Sequence, residues 1–117
     1  MIREPHRDEL LAYLHPDDVL AASRLALVEV PRAVALASPA EAVEEADRML
    51  ASCLLVDVSD RLLRDARALA SRQIRTLDAI HLATALYVEA DELIAYDHRL
   101  LAGAKRQGLQ SSAPGLA

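Results

Sequence analysis

Apolar positions along the chain follow two rhythms: residues spaced three and four apart, and short unbroken apolar runs between them. The first spacing predicts helices and the second predicts buried strands. After Pro5, Glu9-Leu10-Leu11-Ala12-Tyr13-Leu14 has helical spacing, and His15-Pro16-Asp17-Asp18 ends it. Residues 19–22 form a short strand candidate. Ser23 is placed to cap a helix running to about residue 36, which Pro31 should bend by removing a backbone donor and crowding the preceding turn. Ser38-Pro39-Ala40-Glu41 reads as a helix start with a capping box, opening a helix to about residue 52. Residues 54–58 read as a buried strand, with Ser59 capping a helix to about residue 72. Thr76 opens the most apolar helix, from 77 to about 90, followed by a strand over 93–96 and a helix that Asp97 caps and that ends near Gly108. The segment 109–117 has room for a short edge strand. This alternation predicts an α/β domain with a mostly parallel sheet, in which six helices cover a thin set of strands and a helix comes first.

Composition narrows the possibilities. A length of 117 residues fits a single domain over 1–117. Thirteen Lys and Arg against eighteen Asp and Glu give a net charge of −5, which argues against a DNA-coating protein. It leaves room for a nucleic-acid enzyme that gathers positive charge locally through metal ions. Apolar residues make up 53% of the chain, enough for a core, yet Trp and Phe are absent and only Tyr13, Tyr87 and Tyr96 carry aromatic rings. The core must be mainly aliphatic, and the scarcity of rings argues against a base-stacking platform of the single-strand-binding kind. Cys53 is the only cysteine, so neither an intrachain disulfide nor a cysteine-based zinc cage can form. The charged opening Met1-Ile2-Arg3-Glu4 is no signal peptide, and no apolar stretch approaches the ~20 residues of a membrane span. These features predict a soluble, cytoplasmic protein.

Three carboxylates lie where charge is expensive. Glu29 sits in Leu25-Ala26-Leu27-Val28-Glu29-Val30 and shares a helical face with Leu25 and Ala33. An ionised carboxylate there needs a cation or several donors, or else a rim position or a pairing with Arg32. Asp78 stands in the first turn of the most apolar helix, where the helix dipole alone favours an acid by roughly 0.3–1 kcal/mol. His81, one turn on, reads as a hydrogen-bonded core residue rather than a metal ligand. Asp97 follows a strand and serves as an N-cap, but it also stands at the strand end where open α/β sheets place their ligands. Three such acids converging on one edge would repel one another unless a divalent cation lay between them, and oxygen ligands suit Mg²⁺ or Mn²⁺.

The run Ile74-Arg75-Thr76-Leu77-Asp78-Ala79-Ile80-His81-Leu82-Ala83-Thr84-Ala85-Leu86 resembles the signature of the PIN-domain family, closest to its VapC-type toxin ribonucleases. Ser23-Arg24-Leu25-Ala26-Leu27-Val28-Glu29, Leu93-Ile94-Ala95-Tyr96-Asp97-His98-Arg99-Leu100 and Pro114-Gly115 resemble further family segments in order and spacing. The likeness extends over nearly the whole chain from Arg3. It implies a three-layer α/β/α domain that hydrolyses RNA phosphodiesters with Mg²⁺ or Mn²⁺, forms homodimers and is silenced by a VapB-type antitoxin. By position, Glu29, Asp78 and Asp97 match three members of the family's acidic quartet. The resemblance implies that Asp78 is the principal metal ligand among them, with Asp97 and Glu29 completing the cluster directly or through water. Arg72, Arg75 and Arg99 lie near the acidic turns, where they could hold an RNA backbone, but such arginines are more often simple surface charges and are left out of the site.

Two departures from the family pattern stand out. Family members usually begin with a central strand carrying the first acid, and the resemblance aligns the opening of this sequence with the helix that follows it, so the expectation is either a start upstream of Met1 or a truncated relative without that strand and acid. Ala95 also stands where the family commonly has Thr or Ser. Two expectations follow: a Mg²⁺-dependent ribonuclease toxin, or a catalytically impaired PIN remnant that binds an antitoxin or another toxin subunit. A phospho-acceptor receiver domain built on Asp57 is disfavoured, because that fold needs a lysine at a late strand end and Lys105 lies inside the last helix.

Overall fold

The computed structural model describes residues 7–37, 40–69 and 73–115. The chain opens with α1 (Arg7–Tyr13), then β1 (Ala21–Ser23), α2 (Ala26–Ala37), α3 (Ala40–Ala51) and β2 (Leu54–Val56). It continues with α4 (Asp60–Ala68), α5 (Thr76–Tyr87), β3 (Leu93–Ile94), α6 (His98–Arg106) and β4 (Ser111–Ser112). Single strands are separated by one or two helices, in the order the apolar pattern predicts, and among the described residues both strand pairings are parallel. The architecture is α/β and accords with a three-layer α/β/α domain.

Among the described residues the strands form two separate pairs rather than one continuous sheet. β1 pairs with β2, Ala21 opposite Leu54 and Ser23 opposite Val56. The ladder extends at both ends, where Leu54 N–H donates to Leu20 O at 2.8 Å and Arg24 N–H donates to Val56 O at 2.9 Å. β3 pairs with β4, continued by Leu93 N–H to Gln110 O at 2.8 Å and Ala95 N–H to Ser112 O at 3.1 Å. The edge strand expected near the C-terminus is therefore β4.

Two aliphatic clusters hold these halves. Leu62, Ala66, Ala79, Ile80 and Ala83 form one, with Val56 and Val58 packed against it. Leu82, Ala95, Leu100 and Ala104 form the other, with Ile74, Leu93 and Leu109 against it. α5 contributes to both, because Ala79, Ile80 and Ala83 face one way while Leu82 faces the other. Its one buried polar side chain, Thr84, returns its hydroxyl to Ile80 O at 2.8 Å and so leaves no donor unsatisfied.

Local chemistry sets the element ends. The Ser59 side chain accepts from Leu62 N–H at 3.1 Å and starts α4 as expected. Gly108, with φ +73°, takes the left-handed conformation that ends α6. α5 stops before Glu89, which holds φ 54° without being glycine. The predicted Ser38 cap lies outside the described residues.

Several expectations are corrected. Ser23 ends β1 instead of capping α2, and its hydroxyl accepts from Leu25 N–H at 3.2 Å. The strand over 54–58 is neither as long nor as buried as its apolar run implies. It spans Leu54–Val56, and Leu54 is 56% exposed, since β2 is paired on one side only. The apolar α5 is interior only along its middle: Leu77 and Tyr87, at its two ends, are 50% and 56% exposed. No helix among the described residues is long and apolar enough to cross a membrane.

Leu82 is 1% exposed, so Leu82→Ala should lower unfolding free energy by about 2–5 kcal/mol, read by urea denaturation. Cys53 is half-buried and donates its Sγ–H to Met49 O at 3.4 Å, and burial pushes its thiol pKa up. Less thiolate at a given pH means slower alkylation. Iodoacetamide labelling of the folded chain should therefore be slower than that of the urea-unfolded chain, with its pH midpoint displaced upward.

Candidate active site

β1 and β2 run parallel, so their C-terminal ends lie side by side. Arg24 follows one and Asp57 the other, and Arg24 Nε donates to Asp57 Oδ1 at 2.5 Å across the two ends. Both side chains are largely exposed. This pair was not singled out from sequence, although parallel pairing of two strands followed immediately by opposite charges is a readable signal. It also occupies the carboxylate on which the receiver-domain reading depended.

Glu29 projects from the first turn of α2. Its Oε1 meets His81 Nε2 of α5 at 2.9 Å, with both side chains partly buried. Its side chain is 37% exposed, in keeping with the rim position considered from sequence, but its partner is not Arg32. The partner is the histidine read as a core residue, which does make the expected hydrogen bond but to a carboxylate on another helix.

Asp78 lies one turn before His81 on α5. Its Oδ2 accepts from Arg75 N–H at 3.3 Å. This is half of a capping box, because the guanidinium of Arg75 has no acceptor with which to return the bond. Asp97 is the N-cap of α6, and its Oδ1 accepts from Arg99 N–H at 2.8 Å and Leu100 N–H at 3.2 Å. Beside it, Tyr96 donates its hydroxyl to Pro114 O at 2.7 Å, and burial followed by the nearby Glu9 carboxylate raises its pKa.

The three carboxylates share one property. Each is steered through a single oxygen, Glu29 Oε1, Asp78 Oδ2 and Asp97 Oδ1, and the other oxygen makes no hydrogen bond among the described residues. Oriented carboxylates with a spare oxygen are the donor set a hard divalent cation takes, and in that respect the residues fit Mg²⁺ or Mn²⁺. His81 links Glu29 to the helix bearing Asp78, whereas among the described residues no hydrogen bond or ion pair joins Asp97 to either. Among the described residues no group of three or more His, Cys, Asp or Glu side chains stands ready to hold a metal. Arg75 and Arg99, next to the two capping acids, are exposed, while Arg72 lies outside the described residues.

The caps separate stability from chemistry at Asp97. Asn caps as well as Asp, so Asp97→Asn should leave stability nearly unchanged, while Asp97→Ala should cost about 1 kcal/mol in urea denaturation.

A family model for the PIN domain matches residues 2–106. Among curated proteins, the chain is 41% identical over 116 residues to Ribonuclease VapC46 of Mycobacterium tuberculosis, covering 97% of this chain and 88% of that relative. It is 31% identical over 121 residues to Ribonuclease VapC47 of Mycobacterium tuberculosis, covering 98% of this chain and 89% of that relative. No solved structure matches. With a family model spanning most of its length and relatives aligned over nearly all of it, the chain belongs to the PIN-domain family.

Proposed function

We propose that the chain acts as one domain, the ribonuclease toxin of a VapBC-type toxin–antitoxin system, cleaving RNA phosphodiester bonds with Mg²⁺ or Mn²⁺ in the cytoplasm. The observation that carries this reading is the common state of Glu29, Asp78 and Asp97, each fixed by one oxygen and offering the other. Asp78 is the principal ligand, held by the backbone at the start of α5, and Asp97 and Glu29 complete the set directly or through water. When bound, a divalent cation supplies an activated water and offsets charge on the phosphoryl oxygens. The chain's own part is orientation. The α5 and α6 starts fix two carboxylates, and the exposed Arg75 and Arg99 offer guanidinium groups to an RNA backbone that a protein of net charge −5 would otherwise repel.

Exposed apolar side chains support the association part of the reading. Leu27, Val28 and Leu36 of α2 are exposed, Leu36 at 86%, and Leu77, Leu86 and Tyr87 of α5 are exposed as well. Aliphatic side chains presented this way suit a second copy of the chain or a VapB-type antitoxin.

A second reading, a catalytically impaired PIN remnant that keeps its binding surfaces, draws support from the lack of a ready-made group of three ligands among the described residues. One experiment separates the two. Under the first reading the purified chain cleaves RNA with Mg²⁺, EDTA stops it, and Asp78→Asn, which keeps an acceptor for Arg75 N–H while removing the charge, abolishes cleavage. Cleavage that survives both EDTA and Asp78→Asn overturns the nuclease assignment to these acids. No cleavage by the unaltered chain leaves the remnant.

A further inference from the structure

The three acids are not held alike. Asp78 and Asp97 lean on backbone N–H groups three residues away or fewer, so forming α5 and α6 is enough to orient them. Glu29 has no such local donor. Its carboxylate is held by one side-chain atom, His81 Nε2, supplied from 52 residues further along the chain. Glutamate has one more rotatable bond than aspartate, and at a partly exposed position nothing else on α2 restricts where its carboxylate points. Pro31, two residues on, rules out a back-bond from its own nitrogen to the preceding turn. The histidine, by contrast, is well anchored. It stands on α5 between the buried Ile80 and Leu82, one from each aliphatic cluster, so its ring position is set by the core rather than by the site.

From this asymmetry we propose that His81 is a positioning residue of the nuclease site: its Nε2–H holds Glu29 Oε1 so that Oε2 is presented to the divalent cation. The proposal rests on the nuclease reading above and deepens it. His81 touches neither substrate nor cation. It acts through Glu29 alone, and that gives it a measurable signature.

The test is a double-mutant cycle on the full chain, read by Mn²⁺ binding in electron paramagnetic resonance and by RNA cleavage. Removing an outer partner of a metal-binding carboxylate weakens affinity on the order of tenfold, which is the effect expected for His81→Ala. His81→Gln, whose amide nitrogen can donate in place of Nε2, should recover most of the loss. In a Glu29→Ala background, His81→Ala should have no further effect on Mn²⁺ affinity. Equal losses in both backgrounds would mean that His81 merely supports the fold, and would overturn the proposal, as would unchanged or tighter Mn²⁺ binding by His81→Ala. The two failures are distinguishable. A coupled cycle in Mn²⁺ binding without any RNA cleavage removes the nuclease reading and leaves the positioning role. Cleavage with an uncoupled cycle removes the positioning role and leaves the nuclease. A chain that neither binds Mn²⁺ nor cleaves RNA removes both.

Discussion

Burial of the two opposed faces of α5 is the constraint on which the remaining structure depends. One face packs with α4 and β1 and the other with α6, so a single helix is shared by both aliphatic clusters and by both strand pairs. A core without Phe or Trp achieves this with small residues: Ala79, Ala83 and Ala85 let neighbours approach closely while Ile80 and Leu82 fill the space on either side. Aliphatic interiors of this kind tolerate little loss of volume, because no large ring is available to shift into a vacancy. The same burial fixes the rotation of α5 about its axis. That rotation decides where Asp78 and His81 stand.

Function and stability are interleaved at the acids. A carboxylate at a helix start is favoured electrostatically and satisfies orphan amides, so Asp78 and Asp97 stabilise the helices that position them. Glu29, in the first turn of α2, shares the favourable electrostatics but caps no amide there, and it depends on a second helix for its orientation. Site geometry thus comes in two grades, one set as soon as a helix forms and one set only when two helices have docked.

What the sequence reveals follows this division. Local signals were legible: Ser59 and Asp97 cap the helices that follow them, Gly108 ends α6, and the apolar runs mark β2 and β3, because each depends on neighbours a few residues away, whereas β1 begins two residues later than its run over 19–22 implied. Features set by tertiary packing were not. The Glu29–His81 contact joins residues 52 apart, and spacing along one helix carries no information about which face of another it will meet. The exposure of Leu54 was hidden for a similar reason, since an apolar run looks the same in a strand covered on both sides and in one paired along a single edge. The run from Leu77 to Tyr87 looked uniformly interior, because hydrophobicity alone does not say where a covering helix stops. The family signature around Asp78 was legible, whereas the spatial relation of Asp97 to the other acids was not, being a matter of how the two halves sit together.

The hydroxyl of Tyr13 donates to Glu92 Oε2 at 2.5 Å, and the Gln110 side-chain amide reaches the same oxygen at 3.3 Å. One exposed carboxylate thus fastens the end of α1 to the approach to β3 and to the strand beside it. Its closing separation is 79 residues, the kind of long-range contact that a folding chain makes late, after the local helices and parallel pairs already exist. The first helix is thus held in two ways, by the buried side chain of Leu10 and by this polar tie to a residue 79 positions away.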